Sequence, residues 1–174
     1  MILNFKYTRD EYVKSRRSYL FLNKTIKKLD LALIVFLILL TLYFFMNNGL
    51  STLTIVLTIL LFIISAILII LYIFQPGMFY DRIDKFKQQY HLEFIDNKIL
   101  FKTDDISSEL EWNFYEALWE NENFFYIIHS KEMYTLIPKR AFNDINEITE
   151  FRELFMKYND KKIYKKASEF ILLK

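Results

Sequence analysis

Few side chains in this sequence could do chemistry. His91 and His129 are the only histidines, and cysteine is absent. A metal site normally gathers three or four His, Cys or carboxylate ligands at short fixed spacings. Neither histidine is accompanied by such a spacing, so no metal site is expected. The carboxylates Asp104–Asp105 and Glu109–Glu111 could form an acid–base pair. The first two fall in an expected loop and the others on the outer face of an expected strand, which reads as solvated surface. No G-x-S-x-G nucleophile elbow occurs. Glycine occurs only twice, at Gly49 and Gly77, which argues against a loop that cradles phosphate with its backbone. Phe124–Tyr126 could stack on bases, but no basic groove accompanies them and the net charge is only +2; they read as core, and no nucleic acid is expected. The sequence therefore reads as non-enzymatic, with no cofactor.

Two other sets of residues could bind. The first is basic. Pro138 stops a strand and leaves Lys139 and Arg140 projecting. Further on, Lys161, Lys162, Lys165 and Lys166 surround an apolar stripe of Ile163, Ala167, Phe170 and Ile171. A basic amphipathic tail held near an anionic leaflet gains about 1 kcal/mol per lysine or arginine. These residues are candidates for anionic lipid headgroups or a protein partner; the plainer reading has Lys139 and Arg140 satisfying a strand–helix junction. The second set is Ser51, Thr54, Thr58 and Ser65, with Ala66 close by. Small and hydroxylated residues at helical spacing let helices approach closely, so this stripe is expected to face a neighbouring helix or a second protomer.

The elements that position these sets follow from charge and periodicity. Leu31 to Tyr80 contains no Asp, Glu, Lys or Arg, and charges crowd both borders. A membrane crossing needs about 20 apolar residues, so the run predicts two helices, about 31–46 and 51–74. Asn47-Asn48-Gly49 is the turn between them, and Pro76-Gly77 the stop. The segment begins too late, and lacks the small-residue cleavage site, for a signal peptide. The loop between the helices carries no lysine or arginine whereas both flanks carry several, which predicts cytoplasmic termini at a cell membrane. The absence of charge at depth argues against a transporter or ion path.

Before that hairpin, residues 1–30 predict a strand (Leu3, Phe5 and Tyr7 on one face) and an amphipathic helix from Arg9 to Leu29. That helix opens on a Thr8/Glu11 capping box. After it, residues 81–160 predict a short helix and then strands at 91–95, 98–103, 109–112, 117–120, 124–129 and 133–137. An amphipathic helix capped by Asp144 follows. Residues 161–174 form the basic tail. An isolated strand is not stable, so the N-terminal strand must pair with this later sheet. The fold class is α+β: a two-helix membrane hairpin, plus a small antiparallel β domain of about seven strands closed by a helix.

Trp112-Asn113-Phe114-Tyr115, Trp119, Phe124-Phe125-Tyr126-Ile127-Ile128 and Tyr134-Thr135-Leu136-Ile137-Pro138-Lys139-Arg140-Ala141-Phe142 together resemble the YcxB-like family of small bacterial membrane proteins. The order of a short N-terminal region, two membrane helices and this domain is similar too. The resemblance implies a pleckstrin-homology-like domain at a membrane and supplies no catalytic residue. The resemblance leaves the mechanism open, and with enzyme, metal and transport chemistry set aside two function classes are expected: a membrane-anchored cytoplasmic binding or regulatory module, or an immunity-type protein against a toxin or antimicrobial peptide. Homo-oligomers fit either.

Overall fold

A computed structural model describes residues 1–130 and 133–159, and the backbone of residues 164–166. The chain divides into two compact units, Met1–Ser15 with Ile83–Lys174, and Arg16–Arg82.

The first unit holds two four-stranded sheets. One has the order β1(Ile2–Phe5)-β2(Tyr90–Phe94)-β3(Lys98–Lys102)-β4(Ser107–Glu111), every pair antiparallel. The other has the order β7(Tyr134–Pro138)-β6(Phe124–Ile128)-β5(Ala117–Glu120)-β8(Tyr164–Lys166); β8 alone runs parallel to its neighbour. Alternation in β1 and β2 turns Leu3, Phe5, Leu92 and Phe94 inward. The N-terminal strand thus pairs with a later sheet, as its pattern requires.

Helix α5 (Ile145–Tyr158) closes the unit. Asp144 caps it by accepting from the backbone N–H groups of Asn146 (2.7 Å) and Glu147 (2.9 Å). Its fully buried Phe151 meets Phe94 of the first sheet (5.1 Å between ring centroids) and Phe125 of the second (5.0 Å). Trp112 donates from Nε1 to the Ile95 carbonyl (3.0 Å) and packs against Phe94 and Phe155. Asn159, just past α5, donates to the carbonyls of Trp112 (2.8 Å) and Tyr115 (2.7 Å).

The second unit is helical. Helix α1 (Arg9–Leu22) starts in the first unit and ends in this one. The expected Thr8/Glu11 capping box is present: Thr8 N–H donates to Glu11 Oε2 (2.9 Å) and Glu11 N–H to Thr8 Oγ1 (3.2 Å). The helix stops at Leu22, not Leu29. Lys24 takes a left-handed conformation (φ 56°) and the Ile26 N–H reaches back to the Leu20 carbonyl (3.0 Å), a helix-ending turn. Asp30 accepts from the Lys27 N–H (2.7 Å) and so starts α2 (Lys28–Asn48) earlier than hydropathy alone predicts. Gly49, at φ 58°, makes the turn into α3 (Thr52–Ile69), and α2 and α3 pack on each other. Two helical runs are long and apolar enough to cross a membrane: Leu29–Asn48, 20 residues, and Thr52–Arg82, 31 residues.

Pro76 does not end the second run. The π-helical turn Ile70–Phe74 leads without a break into α4 (Gln75–Arg82), where Pro76 is the second residue. Gln75 N–H bonds the Ile70 carbonyl, five residues back. Proline has no N–H to offer the Tyr72 carbonyl four residues before it, and Arg17 Nε donates there instead (3.0 Å).

Deleting residues 1–7 removes β1. Amide protection of Tyr90–Phe94 in hydrogen exchange should then fall to that of an edge strand, while α2 and α3 stay protected. Unchanged protection of Tyr90–Phe94 would contradict the β1–β2 pairing.

Candidate functional site

Strand β7 ends at Pro138, paired with Phe124, and the Lys139 N–H continues the ladder to the Asn123 carbonyl (2.8 Å). The single 3₁₀ turn Lys139–Ala141 then sends its two basic side chains to different carboxylates.

Lys139 reaches Glu120, the last residue of β5, whose side chain is 1 % exposed (Nζ–Oε1 2.6 Å). Arg152 of α5 grips the same carboxylate bidentately, with Nη2 to Oε1 at 2.7 Å and Nε to Oε2 at 2.9 Å. Both cations also lie over the Phe125 ring, at 5.1 Å and 5.7 Å. Two cations share one carboxylate, which offsets half of their charge inside the domain. Arg140 turns the other way. Its Nε and Nη2 bond the Glu11 carboxylate, the latter at 2.8 Å, and Nη2 also donates to the Lys6 carbonyl (2.8 Å). Glu11 is therefore both the cap of α1 and the partner of Arg140. That guanidinium, more than anything else, holds the Glu11 carboxyl below its ordinary value.

Lys161 and Lys162, with Ile163, Ala167, Phe170 and Ile171, lie outside the described residues. Lys165 and Lys166 belong to β8, in register with Trp119 and Glu120. A strand here departs from the amphipathic tail expected at 161–174. The wide side chains and basic residues gave no period-two pattern, and the free edge of β5 supplies the pairing. The backbone thus brings Lys139, Lys165 and Lys166 to one strand, β5, and takes Arg140 to α1.

In α3, Ser51 caps the helix by accepting from the Thr54 N–H (3.3 Å), and Thr54 is 3 % exposed. Ser65 and Ala66 are half-buried, as are Leu57, Leu61, Ile64 and Leu68. Thr58 is exposed and donates to the Thr54 carbonyl of its own helix (2.8 Å). At 3.6 residues per turn the shielded face runs through Thr54, Leu57, Leu61, Ser65 and Leu68, and Thr58 falls at its edge.

The histidines are separate. His91 Nδ1 bonds Asn4 Oδ1 (2.7 Å), and His129 Nε2 bonds Thr135 Oγ1 (2.7 Å). Among the described residues no group of three His, Asp or Glu side chains could hold a metal ion. Burial, with help from Lys85, pushes His129 below its ordinary value of 6.5. Asp105 bonds Gln88, and Glu109 pairs with Lys98. Phe124, Phe125 and Tyr126 are buried core. Sequence reasoning missed Glu120, Glu11 and Arg152 as ion-pair partners. A lone carboxylate ending the otherwise apolar Ala117–Glu120 was the available signal for the first.

Two expected outcomes follow. Glu120→Ala strands two cations against the core and should cost about 3 kcal/mol in denaturant unfolding, whereas Arg140→Ala, whose side chain is half exposed, should cost about 1 kcal/mol or less. Equal losses would remove Glu120 as the anchor. Acidification should weaken the domain in two windows, because both native pKa values lie below their unfolded ones. The His129 contribution is present above about 6.5 and lost as pH falls below it; the Glu11 contribution is lost below about 4.5. Thermal unfolding of His129→Gln against pH should lack the upper window and keep the lower one.

No curated protein and no solved structure matches the chain. A family model described as YcxB-like protein matches residues 94–155. That span runs from the end of β2 through most of α5 and contains Trp112, Glu120, Lys139, Arg140 and Arg152. The segment from residue 94 to residue 155 is therefore similar to the YcxB-like family.

Proposed function

We propose that this protein is a membrane-anchored, non-enzymatic binding module. In this reading a two-helix hairpin, α2 with α3–α4, spans the cell membrane. A pleckstrin-homology-like domain on the cytoplasmic side carries the recognition surface.

The observation that carries the reading is the β1–β2 ladder, Ile2↔Glu93 to Phe5↔Tyr90. Both strands must share a compartment, yet the two apolar helices lie between them in sequence. The chain between must cross a bilayer an even number of times, and two such helices are available. The apolar side chains of these helices are exposed along their length, as lipid-facing residues would be. Lysines and arginines before Leu31 and after Tyr80, with none between, support the cytoplasmic side. Four antiparallel strands, then β5–β7, then a closing helix support the pleckstrin-homology-like arrangement.

Recognition of anionic lipid or of a protein partner falls to basic groups whose charge the domain leaves uncompensated. Arg140 is paired with Glu11, whereas Lys139 shares the Glu120 carboxylate with Arg152.

Single cysteines test the arrangement in a chain that has none of its own. A cysteine at Asn48 should react with a membrane-impermeant thiol reagent on intact cells. One at Asn97, exposed in the β2–β3 turn, should react only after lysis. Labelling of the Asn97 site on intact cells, with protection at Asn48, would reverse the topology.

A further inference from the structure

We propose that Arg17 is a binding residue for the phosphate of a membrane phospholipid. The proposal rests on the reading that α2 and α3 cross a bilayer, and adds to it a ligand class and a site.

Arg17 is half-buried, and among the described residues no carboxylate pairs with it. This sets it apart from Arg140 and Arg152, which each grip a carboxylate. Its Nε is engaged by the Tyr72 carbonyl at 3.0 Å, and its guanidinium lies 5.1 Å from the centre of the Tyr72 ring. Phe21 meets the edge of that ring at 6.0 Å. The Pro76 gap and the aromatic platform thus fix the guanidinium plane. The two Nη groups remain as a pre-oriented fork. A planar fork of N–H donors matches two oxygens of a phosphodiester, and a partly desolvated cation requires an anion nearby. Tyr72 lies 20 residues after Thr52, about one bilayer crossing along the longer apolar run, so Arg17 meets it at the depth where lipid phosphates sit if that run spans the bilayer.

The full-length protein in mild detergent is titrated with phosphatidylglycerol, with diacylglycerol, which lacks phosphate, and with inorganic phosphate, and bound species are counted by native mass spectrometry. Wild type should retain one more phosphatidylglycerol than Arg17→Gln, and diacylglycerol should not distinguish them. Pro76→Ala keeps the guanidinium but gives the Tyr72 carbonyl an intrahelical donor; it should lose much of the same retention while unfolding at a similar temperature. Equal phosphatidylglycerol retention in wild type and Arg17→Gln would overturn the proposal. So would displacement of the lipid by millimolar inorganic phosphate, which would make the site one for free phosphate. Carbonate extraction separates the two readings: wild type and Arg17→Gln should both stay with the membrane. Release of both would sink the membrane reading itself.

Discussion

The pairing of β1 with β2 is the constraint on which the rest depends. The Met1 amino group and the Phe94 carbonyl meet at 3.1 Å although 93 positions separate them. Without β1, the sheet ends at β2, and the inward-facing Leu3 and Phe5 are missing from the core. Loop-closure entropy grows only slowly with loop length, so a long insert between paired strands is tolerated if the ladder and core offset its closure. The strand pair also acts as a topological clamp. Any insert that crosses a membrane must bring the chain back to the side it left. A charge-free run long enough for two helices meets that condition, and a run long enough for one would not.

Buried polar groups carry the same tie into the second sheet. The Tyr7 hydroxyl donates to the Leu136 carbonyl on β7, and the Tyr126 hydroxyl on β6 donates to the Ser15 carbonyl on α1 (2.9 Å). Burial pushes the Tyr7 hydroxyl well above its ordinary value, so it stays a donor across the physiological range. The Glu11–Arg140 pair repeats the connection nearer the surface. An unsatisfied buried donor or acceptor costs more than a hydrogen bond returns. These long-range partners therefore specify one seating for the first fifteen residues. They also explain why Lys139 and Arg140 turn inward. The 3₁₀ turn after Pro138 sits between two carboxylates, one at the end of β5 and one in the first turn of α1.

Most strands were legible because alternation and turn residues agree: Asp96-Asn97 between β2 and β3, Asn121–Asn123 between β5 and β6, and Asp144 at the start of α5. The YcxB-like segment was legible from Trp112 and the Ile137–Phe142 ending. What was not legible depended on partners distant in sequence. Nothing local says that Glu120 receives Lys139 and Arg152, or that Glu11 does more than cap its helix. The strand at Tyr164–Lys166 is three residues long and exists through pairing with β5, so no periodicity announces it. The stop expected at Pro76 failed for a similar reason. A proline breaks a helix through its missing N–H and a clash one turn back, and both can be absorbed elsewhere.

The absorption at Pro76 has two parts, and they bear on the surroundings of the helix. The π turn widens the backbone before the ring, which relieves the clash. The Tyr72 carbonyl, which Pro76 cannot serve, accepts from Arg17 Nε. In water, a solvent molecule would satisfy that oxygen at little cost. At the edge of a hydrocarbon layer water is scarce and an orphan carbonyl is expensive. A side-chain donor fixed from another helix is then worth a half-buried guanidinium, which would be a poor bargain in a fully solvated site. Arginine suits the place better than lysine, because Nε can serve the carbonyl while the two Nη groups keep a separate direction. Arg17 on α1 thus answers a need that Pro76 creates in another helix, which is why neither helix discloses it when read alone.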